Sequence, residues 1–231
     1  MEFYVDIADL DKIKEIADYY PISGFTTNPK ILAKAERPVQ EMMEQYMKFA
    51  SEQNIKVFFQ VTGSTAEEMF REAKALHDYF GEHFVVKIPA IREGYKAVRL
   101  CKEAGITVLV TVVHSVLQAV VAARAGADYV APYINHIDNL GADGVRCVEE
   151  ILTAFHHGGY SCKVLGASFR NADQIKRLAV VGCQAVTILP EMFDTLISHP
   201  STDNFMHLFH DVWVEKYGTL QIDDLLDDNK G

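Results

Sequence analysis

Eight short apolar runs, each followed by a longer amphipathic run, constrain the fold of this chain more than any other feature of its sequence. The apolar runs are expected to form strands at residues 2–6, 24–26, 56–61, 84–88, 106–112, 128–132, 163–167 and 184–189. Helical periodicity follows at residues 9–19, 29–35 with 38–52, 64–80, 92–104, 115–125, 143–157, 171–181 and 191–198. Since the strands are apolar on both faces, they are typical of a parallel sheet covered by helices.

The spacing of these units favours a single (β/α)₈ TIM barrel at the short end of the usual size range. A doubly wound open sheet is the alternative, but no GxGxxG motif follows the first strand. We assign residues 1–200 to the barrel domain and residues 201–220 to an extra C-terminal helix. Residues 221–231 are expected to form an acidic, mobile tail.

The charge balance argues against a nucleic acid or a membrane as partner. The chain has 22 Lys and Arg residues against 32 Asp and Glu residues, a net charge of −10, and its basic residues are scattered. No apolar run approaches the roughly 20 residues of a membrane-spanning helix, and the acidic N-terminus does not resemble a signal peptide.

The four cysteines of the chain form no CxxC pair, so we interpret them as structural thiols. We expect a cytoplasmic protein that binds a small molecule.

Polar side chains lie at or just after the ends of seven of the eight apolar runs, where the chemistry of such a barrel takes place. Turns and helix caps also favour Asn, Ser, Thr and Asp, which accounts for about half of these residues. This preference of turns and helix caps does not account well for Gln60 and Lys87. The strand-end residues are Asp6, Thr26, Thr27, Asn28, Gln60, Lys87, Thr111, Tyr133, Asn135, Ser168 and Arg170.

Lys87 is the residue with the clearest chemical prediction. It is flanked by Val86 and Ile88 in the run FVVKIP, so its amine is expected in a partly desolvated barrel mouth. Desolvation lowers the pKa of a lysine, and a neutral amine can condense with a carbonyl to form a Schiff base. The alternatives are a lysine that extends to solvent from the strand end or one that pairs with Asp6.

Asp6 is the one carboxylate among the strand-end residues. Schiff-base chemistry needs a group that moves a proton, and Asp6 is the natural candidate for that role or for orienting the amine. Its alternative role is to cap the first helix. Gln60, Thr111 and Tyr133 could supply hydroxyl and amide groups that position the substrate.

Four motifs, in order along nearly the whole chain, resemble the small-transaldolase family, and most of all its fructose-6-phosphate aldolase branch. The motifs are GFTTNPKIL (24–32), VVKIPA (85–90), APYINHIDN (131–139) and GASFRN (166–171). The resemblance implies a class I aldolase barrel that uses no metal and no cofactor. In such an enzyme the lysine at the position of Lys87 forms the Schiff base with donors of the dihydroxyacetone type.

The resemblance also assigns roles to the other strand-end residues. It implies that Asp6 contacts the donor hydroxyl and the lysine, while Thr111 and Gln60 hold the catalytic water. Within the TTNP motif, Asn28 is expected to contact donor hydroxyls and Thr26 to contribute to substrate binding. Ser168 and Arg170 match the positions that bind the phosphate of the acceptor aldehyde.

Three positions bear on the choice of reaction. Transaldolases usually have Glu at the position of Gln60 and Phe at that of Tyr133, whereas the aldolase branch has Gln and Tyr, with the tyrosine as proton-transfer group. The family usually has Arg where this chain has His136, a substrate-binding position. Because histidine is shorter and mostly neutral at pH 7, phosphate affinity is expected to be weaker, pH-dependent, or carried chiefly by Arg170 and the N-terminus of the helix after Ser168. A transaldolase is the alternative function.

The C-terminal helical run presents apolar residues on one side, among them Phe205, Phe209 and Trp213. Eight units already close a barrel, so this face requires another surface to cover it. We expect a neighbouring subunit to do so, although the helix could also fold back on its own barrel. The resemblance implies a homo-oligomer built from rings, commonly a decamer.

Overall fold

A computed structural model describes residues 1–227 and contains a closed barrel of eight parallel strands in chain order. The strands are β1 (Glu2–Asp6), β2 (Gly24–Thr26), β3 (Lys56–Gln60), β4 (Phe84–Pro89), β5 (Val108–Val113), β6 (Tyr129–Pro132), β7 (Lys163–Gly166) and β8 (Ala185–Ile188). The last strand closes the barrel on the first, with Glu2 opposite Ala185 and Val5 opposite Ile188. The predicted TIM barrel is therefore confirmed, and the open sheet is excluded.

Helices separate the strands, as the periodicity predicts. They are α1 (Leu10–Tyr19), α2 (Pro29–Leu32), α3 (Val39–Gln53), α4 (Ala66–Phe80), α5 (Arg92–Glu103), α6 (Val116–Arg124), α7 (Ile134–Asn139), α8 (Gly144–Gly158), α9 (Ala172–Val180), α10 (Pro190–Ile197), α11 (Pro200–Tyr217) and α12 (Asp224–Asp227). A short 3₁₀ turn, Gly81–His83, precedes β4. Within residues 1–227, none of these helices combines the length and apolar character needed to cross a lipid bilayer.

The barrel interior is filled by side chains of one inward-facing set. They are Tyr4, Phe58, Val85, Leu109, Tyr129, Ala131, Leu165 and Ala185. Edge-to-face contacts join three of the aromatic rings, with Phe58 4.9 Å from Tyr4 and 5.8 Å from Tyr129. This apolar packing fills the middle of the barrel, and polar side chains lie at both of its ends.

A polar network lies at the opposite, amino end of the barrel. Glu2 accepts hydrogen bonds from the Tyr4 hydroxyl and the Lys163 amine, each at 2.6 Å. The Lys56 amine donates to the Tyr129 hydroxyl at 2.6 Å. The charges of Glu2 and Lys163 are paired within the fold, which is typical of a barrel end that contributes to stability.

The chain divides into two compact units, Met1–Phe193 and the residues from Asp194 onward. In the second unit, α11 has five large apolar side chains that are 51–61% exposed: Phe205, Met206, Leu208, Phe209 and Val212. The expectation that a neighbouring subunit covers this face stays a prediction, as do the predicted domain boundaries. Within the predicted tail, Asp224–Asp227 forms one helical turn, and residues 228–231 lie outside the described residues.

Candidate active site

A cavity of about 550 Å³ opens at the carboxyl ends of the strands, and all eight strands contribute side chains to its wall. The strand residues of the wall are Asp6, Thr26, Gln60, Lys87, Leu109, Thr111, Val112, Ala131, Leu165, Thr187 and Ile188. Tyr133, which directly follows β6, also lines the cavity. A neighbouring cavity of about 580 Å³ shares Asp6 and Leu189 with it but does not include Lys87.

Lys87 points into this cavity from β4 and is only 6% exposed. Its amine donates a hydrogen bond to the backbone carbonyl of Thr27 at 2.7 Å. Burial lowers the pKa of Lys87 to about 8, while the charge of Asp6 opposes this shift. Roughly a tenth of the side chains is then uncharged at pH 7, so the amine is available as a nucleophile.

The structure removes both alternatives that the sequence left open for Lys87. A side chain that is 6% exposed does not extend into solvent. Its hydrogen-bond partner is a backbone carbonyl, and its amine forms no ion pair with Asp6 within 4.0 Å. The ammonium form is therefore left without close ionic compensation, which agrees with the lowered pKa.

Asp6 ends β1 and lines the cavity, and it does not cap the first helix. That cap is Asp9, whose side chain accepts hydrogen bonds from the amides of Asp11 and Lys12. The Asp6 carboxylate instead accepts a hydrogen bond from the Thr26 hydroxyl at 2.7 Å. It is therefore held in place by a neighbouring strand and not by a helix.

Thr111 and Tyr133 bring two hydroxyl groups together on the β5–β6 side of the cavity. Their oxygens are 3.2 Å apart, and Thr111 is fully buried. Burial is the main cause that raises the pKa of Tyr133; the Asp6 charge adds to it and the hydrogen bond with Thr111 opposes it. The phenol is therefore protonated at pH 7 and can donate a proton. Gln60 lines the same cavity and is the register partner of Lys87.

A bulge in β5 lies next to this pair. The register with β6 shifts between Val110 and Val113, and Val112 has a φ of 61°, which is rare for a β-branched residue. Such a conformation costs about 1–3 kcal/mol and is typical of functional sites. Here it follows Thr111 directly, and Val112 itself lines the cavity.

The outer part of the cavity contains the predicted acceptor-binding residues His136 and Ser168, and also Asn28. The imidazole of His136 stacks on that of His114 at 5.8 Å and meets the Tyr133 ring edge-on at 5.2 Å. The Asn28 side chain accepts a hydrogen bond from the Ile31 amide and so begins α2. One face of the mouth is thus a set of packed rings.

Arg170 is the one predicted site residue that does not line the cavity. It is exposed, and its backbone amide donates to the Gln174 side chain at 2.7 Å. Ser168, two residues earlier, has a φ of 60°, so the chain turns sharply between the two positions. Sequence spacing alone could not indicate this change of direction.

The sequence prediction also missed residues that line the cavity. Thr187, near the end of β8, is 6% exposed and lies 2.6 Å from the Thr26 hydroxyl. Thr187 is the only polar residue of β8, and it faces inward like Ala185, two residues before it. A single polar residue at an inward position of an apolar strand is the sequence signal that could have identified it. Lys30 and Phe169 line the outer cavity and were not predicted either.

Chemically, the cavity holds a partly neutral amine, a fixed carboxylate and a protonated phenol beside a buried hydroxyl. This set can form an imine with a carbonyl compound and move protons around it. No His, Cys, Asp or Glu cluster capable of holding a metal ion occurs among residues 1–227.

Comparisons with known proteins agree with this architecture. Among solved structures, a native structure of KDPGal matches with a TM-score of 0.59 at 11% identity, covering 81% of this chain and 82% of that one. A thiamine phosphate pyrophosphorylase from Pyrococcus furiosus matches with a TM-score of 0.57 at 14% identity, covering 81% and 85%. A mandelate oxidase variant matches at 0.56 and 14% identity over 82% of this chain, which spans 65% of the oxidase chain. At these identities the likeness concerns the fold.

The family comparison is more specific than the structural one. The model of the family described as transaldolase/fructose-6-phosphate aldolase matches residues 3–225, nearly the whole chain. The match includes every residue of the cavity wall, from Asp6 to Met192. It confirms the family that the four motifs predict, while the choice between its branches depends on the site itself. The chain therefore belongs to the transaldolase/fructose-6-phosphate aldolase family.

Proposed function

We propose that this protein is a class I aldolase that cleaves and forms fructose 6-phosphate, or a similar ketose, through a Schiff base on Lys87. Family membership supports an enzyme of the aldolase or transaldolase kind. The observation that carries the proposal is the buried Lys87 amine, with a pKa of about 8, at the wall of a cavity that also contains Asp6 and Tyr133. The products of cleavage would be dihydroxyacetone and glyceraldehyde 3-phosphate.

In the cleavage direction, the neutral Lys87 amine attacks the ketone carbon, and loss of water gives an iminium ion. A base removes the proton of the hydroxyl beside the scissile carbon–carbon bond, and the bond breaks. The aldehyde leaves, and the electron pair moves into the iminium to form an enamine. Asp6 is suited to accept or orient this proton because its carboxylate is fixed at the end of β1.

The enamine must then gain a proton on carbon before water can release dihydroxyacetone. Tyr133 is suited to this step because its phenol is protonated at pH 7 and hydrogen-bonded to Thr111. Gln60 and Thr111 can hold the water between them, as they line one cavity. This proton route favours an aldolase over a transaldolase, which must protect the same intermediate until a second aldehyde arrives.

Incubation with fructose 6-phosphate alone tests the choice between the two reactions. An aldolase releases free dihydroxyacetone continuously, and we expect this result. A transaldolase releases almost none, and it turns over only when an acceptor aldehyde takes up the three-carbon unit. Formation of glyceraldehyde 3-phosphate that requires the acceptor, without free dihydroxyacetone, would replace our proposal with the alternative.

The rate of Schiff-base formation is expected to rise with pH through the pKa of Lys87. Since the neutral amine reacts, the initial rate with dihydroxyacetone at low concentration should increase about tenfold from pH 7 to pH 9 and then level off. Trapping with cyanoborohydride, followed by mass spectrometry of the intact protein, measures this rate. A rate that continues to rise steeply to pH 10.5 would indicate an ordinary, solvated lysine instead.

The His136→Arg variant is expected to bind a phosphorylated acceptor more tightly. Arginine is always charged and can bind phosphate with two parallel hydrogen bonds, so the KM for glyceraldehyde 3-phosphate in synthesis should fall about tenfold. Unphosphorylated glyceraldehyde serves as the control, because its KM should change little. Equal changes for both aldehydes would place position 136 outside the phosphate end of the cavity.

We further propose that the enzyme acts in the cytoplasm as a homo-oligomer. All four cysteines are unpaired, which is typical of a reducing compartment. The exposed apolar side chains of α11 support contact with a second copy of the chain.

A further inference from the structure

Thr187 takes no part in the proposed reaction, although its hydroxyl is buried at the cavity wall. The side chain lies in β8, is 6% exposed and approaches the Thr26 hydroxyl to 2.6 Å. A buried hydroxyl costs free energy unless it is hydrogen-bonded, and the inward position before it on the strand is the apolar Ala185. A polar side chain at this buried position therefore indicates a structural or functional role for the hydroxyl.

The barrel register brings Thr187 close to Asp6 through Thr26. Strand β1 lies between β2 and β8, with Asp6 opposite Thr26 and Tyr4 opposite Thr187. In such barrels, inward side chains of alternate strands share one layer, so residues of β2 and β8 can meet across β1. The two threonine hydroxyls meet there, next to the Asp6 carboxylate.

Counting protons fixes the direction of these hydrogen bonds. A threonine hydroxyl has a single proton, and an ionised carboxylate only accepts. Because Thr26 donates its proton to Asp6 at 2.7 Å, Thr187 must donate in the 2.6 Å contact with Thr26. The result is a chain of donors from Thr187 to Thr26 to Asp6, in which each bond polarises the next.

The end of this chain lies within electrostatic reach of the amine. The Asp6 charge raises the pKa of Lys87 against the larger effect of burial. The orientation of the carboxylate therefore bears on the amine as well as on the substrate hydroxyl.

We propose that Thr187 is a positioning residue that, through Thr26, fixes the Asp6 carboxylate in the orientation required for proton movement during cleavage. It does not touch the reacting atoms, so its loss affects turnover and not substrate binding. This inference rests on the proposed aldolase function.

The Thr187→Val variant tests the inference, since valine keeps the shape of threonine and removes the hydroxyl. In fructose 6-phosphate cleavage, kcat is expected to fall about five- to tenfold while KM stays within about twofold. Thr187→Ser, which keeps the hydroxyl, should regain most of the lost kcat. Thr153→Val is the matched control: its hydroxyl bonds the Glu149 carbonyl within α8, so its loss should leave kcat unchanged.

A double-mutant cycle with Thr26→Val separates positioning from packing. If Thr187 acts through Thr26, then adding Thr187→Val to the Thr26→Val enzyme lowers kcat no further. Additive losses, an unchanged kcat in Thr187→Val or failure of serine to restore kcat would each overturn the inference. If the valine variant does not fold, judged by circular dichroism and Tm, Thr187→Ala replaces it in the same comparisons.

The failure of this inference can be distinguished from failure of the proposed function. If borohydride traps dihydroxyacetone on Lys87 of the parent enzyme while Thr187→Val has the parent kcat, only the positioning role is lost. If the parent enzyme forms no adduct on Lys87, the proposed function fails, and the positioning role fails with it.

Discussion

Replacing Lys87 by alanine is expected to lower kcat for fructose 6-phosphate cleavage by about 10⁴-fold or more, because Lys87 is the buried amine of the cavity, whereas the other lysine of its wall, Lys30, is exposed. Steady-state assays of dihydroxyacetone release measure the effect. The substrate should still bind, because the other residues of the cavity wall remain. An alanine variant that cleaves sugars at a rate near that of the parent would remove the basis of the proposed mechanism.

The Lys87→Met variant shows whether this loss reflects chemistry or unfolding. The pKa of Lys87 falls from 10.5 to about 8 on folding, so the unfolded chain binds more protons between these values and stability rises with pH there. Below pH 8 the buried ammonium has its full destabilising effect, roughly 3 kcal/mol at about 1.4 kcal/mol per pKa unit. The Lys87→Met variant should therefore have a free energy of unfolding in urea at pH 7 that equals or exceeds that of the parent. An inactive but markedly destabilised variant would leave the loss of activity attributable to unfolding.

Replacing Tyr133 by phenylalanine is expected to lower kcat about 10²-fold with little change in KM, because the enamine loses its proton donor. The three-carbon unit would then remain on Lys87 as the enamine, so glyceraldehyde 3-phosphate should appear in a burst ahead of free dihydroxyacetone. Rapid-quench assays that compare the two products measure this change.

The Tyr95→Phe variant is the control for the loss of a phenol. The Tyr95 hydroxyl bonds the Gln118 carbonyl and lies outside the cavity, so kcat should not change. Turnover of Tyr133→Phe equal to that of the parent would contradict the proton route. It would also remove the argument that favours an aldolase over a transaldolase.

The barrel could be predicted from the sequence because each strand is an apolar run bounded by polar helix starts. Boundaries moved where local geometry intervened: the fifth strand was expected at 106–112 and is Val108–Val113, with a bulge at Val112. The short helix α7 directly after Tyr133 was not predicted, since six residues are too few for a clear helical period. The periodicity of the sequence predicts how many strands there are and in which order, whereas tertiary contacts decide where each strand begins and ends.

Most of the candidate site could also be predicted from the sequence. Nine of the ten predicted site residues line the cavity, because the carboxyl ends of parallel strands converge. Arg170 does not, since the turn at Ser168 redirects the chain. Thr187 was missed because one threonine in an apolar run is weak as a signal, and its partner Thr26 is 161 residues away. Burial and the lowered pKa of Lys87 could be anticipated from its apolar neighbours, but the contact with the Thr27 carbonyl could not.

Reduction with borohydride in the presence of dihydroxyacetone, followed by peptide mapping, tests the central claim most directly. We predict one reduced dihydroxyacetone adduct per chain, located on Lys87, and none on the Lys87→Ala variant. An adduct spread over surface lysines, or no adduct on Lys87, would contradict the claim that this buried amine forms the covalent intermediate.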